Sequence, residues 1–273
     1  MDYTTVQLPI IEARPDWITC TGRTEGAAYE LAVLGTDQTD AEERAGNKLE
    51  PWRFQNYRGF QAGNWRWGWG KDGSIVVVSG IQAEIAASRL AHLADHWSRI
   101  DYCVTVLDVD ERISPDEDYW QEADRIEKAG STAPSLARIQ ERKRGATLSY
   151  GDRASAYFAR VYNKHAESPS EYPRGCWRWE LELKRHASEQ HQRRWRDKPM
   201  AGQDVLNLIS TEFERNKLSV PWTRNANFLR EPVVSHHADA DRILRWLERQ
   251  VKPSVQFAAQ ARGREKVMEV LDL

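Results

Sequence analysis

Three carboxylates, Asp101, Glu180 and Glu182, are the first residues whose type and spacing suggest chemistry. Asp101 stands between Ile100 and Tyr102 in an apolar run, and Glu180 and Glu182 alternate with Trp179, Leu181 and Leu183. A period of two puts Arg178, Glu180, Glu182 and Lys184 on one face of a strand and the apolar residues on the other. Carboxylates withdrawn from water need a cation or a metal beside them. With Asp101 on a neighbouring strand, the three would suit a hard divalent ion, Mg²⁺ or Mn²⁺. Asp108 is a reserve ligand, although strand parity turns it away from Asp101. The same alternation would also serve a solvated face laced with cross-strand salt bridges. A second segment, Tyr157 to Lys164, puts Arg160, Tyr162 and Lys164 on one face. A phenol titrates near pH 10, so Tyr162 needs a nearby cation and a metal on its target to act as a nucleophile. Without them it is a packed strand tyrosine.

Other chemistries lack their residues. There is no Walker A sequence, no H-E-x-x-H and no G-x-S-x-G. Gly68, Gly70 and Gly73 satisfy G-x-G-x-x-G literally, but the strand-like run Ser74 to Val78 follows them, where a dinucleotide site needs a helix N-terminus. His92 and His96 have the four-residue spacing of a shared metal on one helix, without an intervening Glu, and read as surface histidines. His236 and His237, being adjacent, point apart.

The elements that must position these residues are mixed. Strands are expected at 16–21, 64–70, 74–79, 99–109, 147–150, 156–164 and 176–184, with 64–79 a hairpin turning through Lys71, Asp72 and Gly73. Helices are expected at 25–34, 39–45 (capped by Thr39 and Glu42), 81–97, 114–129, 186–196, 203–216, 240–251 and 253–262. Irregular alternation with adjacent hairpins predicts an α+β fold, a mainly antiparallel sheet with flanking helices. Residues 1–198 form the core and 199–273 a helical extension packing on it.

Composition sets the outer limits. The chain has 273 residues, is 29% charged and carries a net charge of −2. No apolar run is long enough to span a membrane, the N-terminus has no secretory pattern, and Cys20, Cys103 and Cys176 read as reduced core thiols. The expectation is a cytoplasmic protein. The mild net charge argues against nucleic acid only as an average, because an acidic segment, 108–128, offsets basic runs at 138–164 and 174–198. Twelve tryptophans include the alternating sets Trp65, Trp67, Trp69 and Trp177, Trp179. They serve as core filler or, beside arginines, as stacking surfaces for single-stranded nucleic acid.

In order and spacing these residues resemble the trans-acting replication initiation factors of rolling-circle plasmids and phages, to which relaxases of some integrative elements are related. The likeness covers much of the chain. Its strongest part is Thr147 to Glu167, followed by Trp177 to Arg185. The family's Gly-Ser-Arg-x-Ser turn is matched by Gly151, Arg153 and Ser155, with Asp152 in place of the usual Ser. Its Arg-x-Tyr-x-Lys is matched by Arg160, Tyr162 and Lys164, and its Arg-x-Glu by Arg178 and Glu180. Arg99, Ile100 and Asp101 resemble its Arg-Ile-Asp strand, Val78 to Gly80 its strand end, and Trp246, Leu247, Val251 and Pro253 its C-terminal helix.

The resemblance implies a relaxase-like core that nicks one strand of plasmid or phage origin DNA, at a single-stranded or cruciform site. Tyr162 would be the nucleophile, leaving a 5′-phosphotyrosyl enzyme and a free 3′-hydroxyl, and would later rejoin the strand. Tyr150 and Tyr157 are alternatives, less suited by position and parity. Asp101, Glu180 and Glu182 would hold Mg²⁺ or Mn²⁺, and Lys164 would stabilise the phosphorane or the departing oxygen. Arg153, Arg160 and Arg178 would grip phosphates, with Arg174 and Arg144 of the basic runs adding to the DNA-binding set. A host helicase and a second copy of the chain are the further partners implied. A non-enzymatic DNA-binding protein and a nuclease using water remain the alternatives.

Overall fold

A computed structural model describes residues 7–22, 25–113, 115, 136–142, 145–216 and 218–223. Contacts divide the chain into two compact units, residues 1–232 and 233–273, and every described residue lies in the first. Its described strands are β1 (Ile10–Gly22), β2 (Glu50–Phe54), β3 (Tyr57–Ala62), β4 (Trp65–Gly70), β5 (Gly73–Ser79), β6 (His96–Leu107), β7 (Leu136–Arg142), β8 (Gly145–Tyr150), β9 (Tyr157–Asn163) and β10 (Cys176–Lys184). They form one sheet in the order β2-β3-β4-β5-β1-β6-β10-β9-β8-β7, with every pairing antiparallel. The described helices are α1 (Glu25–Arg44), α2 (Ile81–Leu93), a single turn α3 (Lys164–Glu167), α4 (His186–Asp197) and α5 (Gly202–Arg215). The α+β architecture read from the sequence is the one observed.

Alternation along the central strands gives the sheet two unlike faces. On β10, Trp179, Leu181 and Leu183 share a buried apolar face with Ile100, Tyr102 and Val104 of β6. The four longer described helices cover this face. Leu90 of α2, Trp195 of α4 and Val205, Leu206, Ile209 and Phe213 of α5 all enter the core. The opposite face carries Arg178, Glu180, Glu182 and Lys184, paired in register with Thr105, Cys103, Asp101 and Arg99.

Several elements differ from expectation for identifiable reasons. Helix α1 is continuous where the sequence suggested two helices. Gly35 does not break it, and lets it approach the sheet: a Cβ there would lie 2.4 Å from Trp67 Cβ. Thr39 is buried inside the helix and does not cap a new one. Helix α2 stops at Leu93, so His92 lies in a helix and His96 in β6, and the pair shares no helical face. His96 Nε2 lies 2.9 Å from Thr21 Oγ1. Strands β2, β3 and β7 were not anticipated, and β1 is longer than expected, running through Pro15 with a register shift there. The expected hairpin is β4–β5, closed by Gly73 at φ 110°. Gly68 and Gly70 lie in a strand, which removes the dinucleotide reading. All three cysteines are buried and free. The acidic helix expected at 114–129 and the last two expected helices, 240–251 and 253–262, fall outside the described residues. No described helix is long and apolar enough to cross a membrane.

Candidate active site

The charged face gathers its side chains from β1, β6, β10 and β9. Asp101 and Glu182 are cross-strand partners, and so are Glu180 and Arg160, and Arg178 and Tyr162. Asp101, Glu180, Glu182 and Arg178 are each less than 5% exposed. Burial on this scale is tolerable because cations are interleaved with the acids. Arg99 forks onto Asp101 through two hydrogen bonds of 2.7 and 2.5 Å and also approaches Glu182 at 2.8 Å. Lys184 pairs with Glu182. Arg160 lies 2.5 Å from Glu180 and 3.7 Å from Asp101.

Tyr162 belongs to this network. Its hydroxyl donates a 2.5 Å hydrogen bond to Glu180 Oε1, and the residue is 9% exposed. Burial, and then the Glu180 carboxylate, hold its phenol well above the ordinary range, so the resting group is protonated. The ammonium of Lys164, at the start of α3, lies 5.8 Å from the Tyr162 ring centre and 5.2 Å from that of Tyr172, and pairs with Glu167 at 2.5 Å. The expected strand ends one residue earlier than read, so Lys164 reaches Tyr162 from a helix turn capped by Asn163.

The other two candidate tyrosines are placed differently. Tyr150 lies on the helix side against the Phe213 ring, with centroids 5.8 Å apart. Tyr157 is 40% exposed and meets His186.

A second ionic group adjoins the first. Arg178 Nη2 donates to Glu12 and, at 2.8 Å, to the Tyr172 hydroxyl; Nε donates to Thr105 at 2.9 Å, and Nη1 to Asp16 at 3.2 Å. Arg14 closes the group on Glu12 at 2.9 Å and Asp16 at 2.7 Å. Burial opposes ionisation of Asp16, but Arg178 and Arg14 outweigh it and hold the carboxyl down at about 2. The fully buried guanidinium of Arg178 is thus committed to carboxylates. Glu12, Arg14, Asp16 and Tyr172 were not singled out from sequence. The alternation of Glu12, Arg14 and Asp16 was legible, but Pro15 argued against a strand there.

The remaining predicted residues are more scattered. Arg153 is exposed with its guanidinium 5.8 Å from the Phe158 ring centre, Arg174 is exposed, and Arg144 lies outside the described residues. Asp108 caps the turn after β6, accepting from the Ile113 amide at 2.8 Å and from Arg112 at 3.3 Å.

The oxygen donors of Asp101 and Glu182 suit a hard cation chemically, although Glu182 Oε2 already faces the Arg99 guanidinium at 2.8 Å. Burial also lifts the Asp101 carboxyl to about 6 against the pull of Arg99. Glu180 is taken up by Tyr162 and Arg160. Among the described residues, no three His, Cys, Asp or Glu side chains converge in a metal-binding arrangement.

Residues 100–271, more than half of the chain, match the family model described as replication initiation factor. The chain belongs to that family. The matched segment contains Asp101, Tyr162, Lys164, Glu180 and Glu182 and begins just after Arg99. Among solved structures, the initiation factor is similar to the rolling circle replication initiator protein from Geobacillus stearothermophilus. The TM-score is 0.50 at 14% identity, over 74% of this chain and 84% of that one, which supports a shared fold. No curated protein matches the chain.

Proposed function

We propose that this initiation factor starts rolling-circle replication by nicking one strand at an origin through Tyr162, and later rejoins the strand. The observation that carries this reading is the short hydrogen bond from the Tyr162 hydroxyl to buried Glu180, inside a set of cations, on the family-matched segment. A buried phenol held protonated needs a proton acceptor at contact distance, and Glu180 is one. In the step proposed, the Tyr162 proton passes to Glu180 as the phenolic oxygen bonds to phosphorus. The bond from phosphorus to the 3′ oxygen breaks, and that oxygen leaves as a hydroxyl with a proton from Lys164. Arg160, paired with Glu180, would face the charge that develops on the phosphoryl oxygens. Arg153, Arg174 and Arg144 would hold flanking phosphates of single-stranded or cruciform origin DNA. Arg178 would position Glu12, Asp16 and Tyr172, with no phosphate of its own.

Asp101 and Glu182 would hold Mg²⁺ or Mn²⁺, with Glu180 left to Tyr162 and Arg160. When bound, the ion supplies charge neutralisation at the scissile phosphate. Residues 1–198 would form the nicking and strand-transfer core and 199–273 a helical extension, with a second copy and a host helicase as partners.

The test is incubation of the full chain with supercoiled plasmid carrying its origin, in Mn²⁺. Wild type should give nicked circles and a covalent protein–DNA band, and Tyr162→Phe should give neither. Nicking that survives in Tyr162→Phe would replace this reading with hydrolysis by water, and no nicking by wild type would leave a non-enzymatic DNA-binding role.

A further inference from the structure

The charged face does not end at β1. Trp17 is paired with Asp101 across β1 and β6, and the guanidinium groups of Arg99 and Arg66 lie 5.1 and 5.3 Å from its ring centre. Arg66 comes from β4, where it pairs with Val77 and Gln61. Its Nη1 is buried with no hydrogen-bond partner among the described residues. Following the register outward, the same face carries Gly68 and Gly59, which pair with each other, and then Trp52, which pairs with Gly59. Trp52 and Phe54 stack in parallel, 5.9 Å between centroids and 6° between planes, and Phe54 is 45% exposed.

The glycines give these rings their seat. A Cβ at Gly68 would reach 3.4 Å from the Trp52 ring, and one at Gly59 would meet the Trp67 carbonyl oxygen. The alternating Trp65, Trp67 and Trp69, which first drew notice, face the other way. Trp65 enters the helix-side core, and Trp67 packs against it and against Gly35 of α1.

This arrangement, flat rings on a glycine-paved ribbon beside guanidinium groups, is the chemistry that takes unpaired bases and their phosphates. It is continuous with the site holding Tyr162 and lies wholly before residue 100, outside the family-matched segment. The geometry points to a single-stranded DNA platform formed by Trp17, Trp52, Phe54 and Arg66, which holds the strand running away from the nick. This deepens the proposed function, and rests on it for the direction of the strand. Arg66 decides between occupants, because a second copy of the chain meeting the β2 edge would have no use for its guanidinium over Trp17, whereas Arg99 is already engaged by Asp101 and Glu182.

The experiment titrates a fluorescein-labelled single-stranded oligothymidylate, about 20 nucleotides long so as to exceed the ~4–16-nucleotide sites of comparable surfaces, into the full chain. Anisotropy is the readout, with a blunt duplex of equal length as control. Stacking is worth about 1–3 kcal/mol per base, so Trp52→Ala with Phe54→Ala should weaken single-strand binding at least tenfold and leave duplex binding within twofold. Trp52→Phe should restore most of it, and Arg66→Gln should lower the salt dependence. Affinity within twofold of wild type in both the aromatic and the Arg66 variants would overturn the platform. So would wild-type self-association in sedimentation that the aromatic double variant abolishes while DNA binding persists. The two readings fail separately. A platform that responds as expected in a protein that forms no covalent adduct leaves this inference standing and removes Tyr162 as nucleophile, and the reverse outcome removes the platform alone.

Discussion

Tyr102 and Tyr162 are both buried in the central strands, on opposite faces of one sheet, and burial lifts both phenols above their ordinary range. Their partners separate them. On the helix-covered face, the Tyr102 hydroxyl accepts a 2.9 Å hydrogen bond from Trp195 Nε1 and lies 3.1 Å from His191 Nδ1 and 3.4 Å from Met200 Sδ. Among the described residues no carboxylate is hydrogen-bonded to it, and with an indole, an imidazole and a thioether around its hydroxyl the group serves packing. On the charged face, Tyr162 meets Glu180, with Arg160 and Lys164 at hand. Desolvation alone makes a phenol inert, and a carboxylate at contact distance with cations behind it makes a reactive one conceivable.

The largest effect that would break the comparison is expected from Glu180→Gln, which keeps the shape and removes the base. Covalent adduct formation should fall by about 10²–10⁴-fold, the usual contribution of a positioned base. The tyrosinate absorbance of Tyr162 should meanwhile shift to lower pH, because one cause of its raised pKa is gone. A variant that nicks at the wild-type rate would place Glu180 outside the chemistry.

Tyr102→Phe is the converse. It strands the Trp195 N–H and should cost about 1–3 kcal/mol of stability in urea unfolding, with adduct formation per folded molecule unchanged within twofold. A specific loss of nicking would mean the two faces are coupled.

The smallest effect concerns His191, whose burial, reinforced by Arg194, lowers its pKa to about 4. The unfolded chain takes up that proton near pH 6.5 and the folded chain only near 4. The stability tied to neutral His191 is therefore complete above pH 6.5 and lost as pH falls towards 4. His191→Gln should flatten the stability profile in that window by about 1–2 kcal/mol, and equal slopes for variant and wild type would refute the assignment.

The two faces were unequally legible in the sequence. Where a strand alternates cleanly, as from Cys176 to Lys184, the facing of every side chain followed from residue type, whereas the neighbouring strand that sets Asp101 opposite Glu182 was only assumed there. Where the signal is mixed it failed. Strand β2 contains Pro51 and β3 contains Gly59, residues that weaken a strand reading, and their hairpin turns at Gln55 and Asn56 with Gln55 at φ 51°. The first helix was expected to end at residue 34, because only the tertiary neighbour, Trp67, reveals why Gly35 excludes a side chain inside a continuous helix. Arg99 was seen as part of a motif but not as the clamp on Asp101 and Glu182, and the partnership of Glu12 with Arg178 joins segments that no local pattern relates.

That last contact has a consequence in time. Glu12 and Arg178 are 166 residues apart. At synthesis rates of about 5–20 residues per second, the carboxylates of β1 wait roughly 10–30 s before their guanidinium leaves the ribosome. Strand β6 waits less than half as long, roughly 4–15 s, for β10, which sits between it and β9 and carries Glu180. A nascent chain therefore holds Tyr162 without its Glu180 partner and without a closed sheet, and the charged face is assembled only when the central strand arrives.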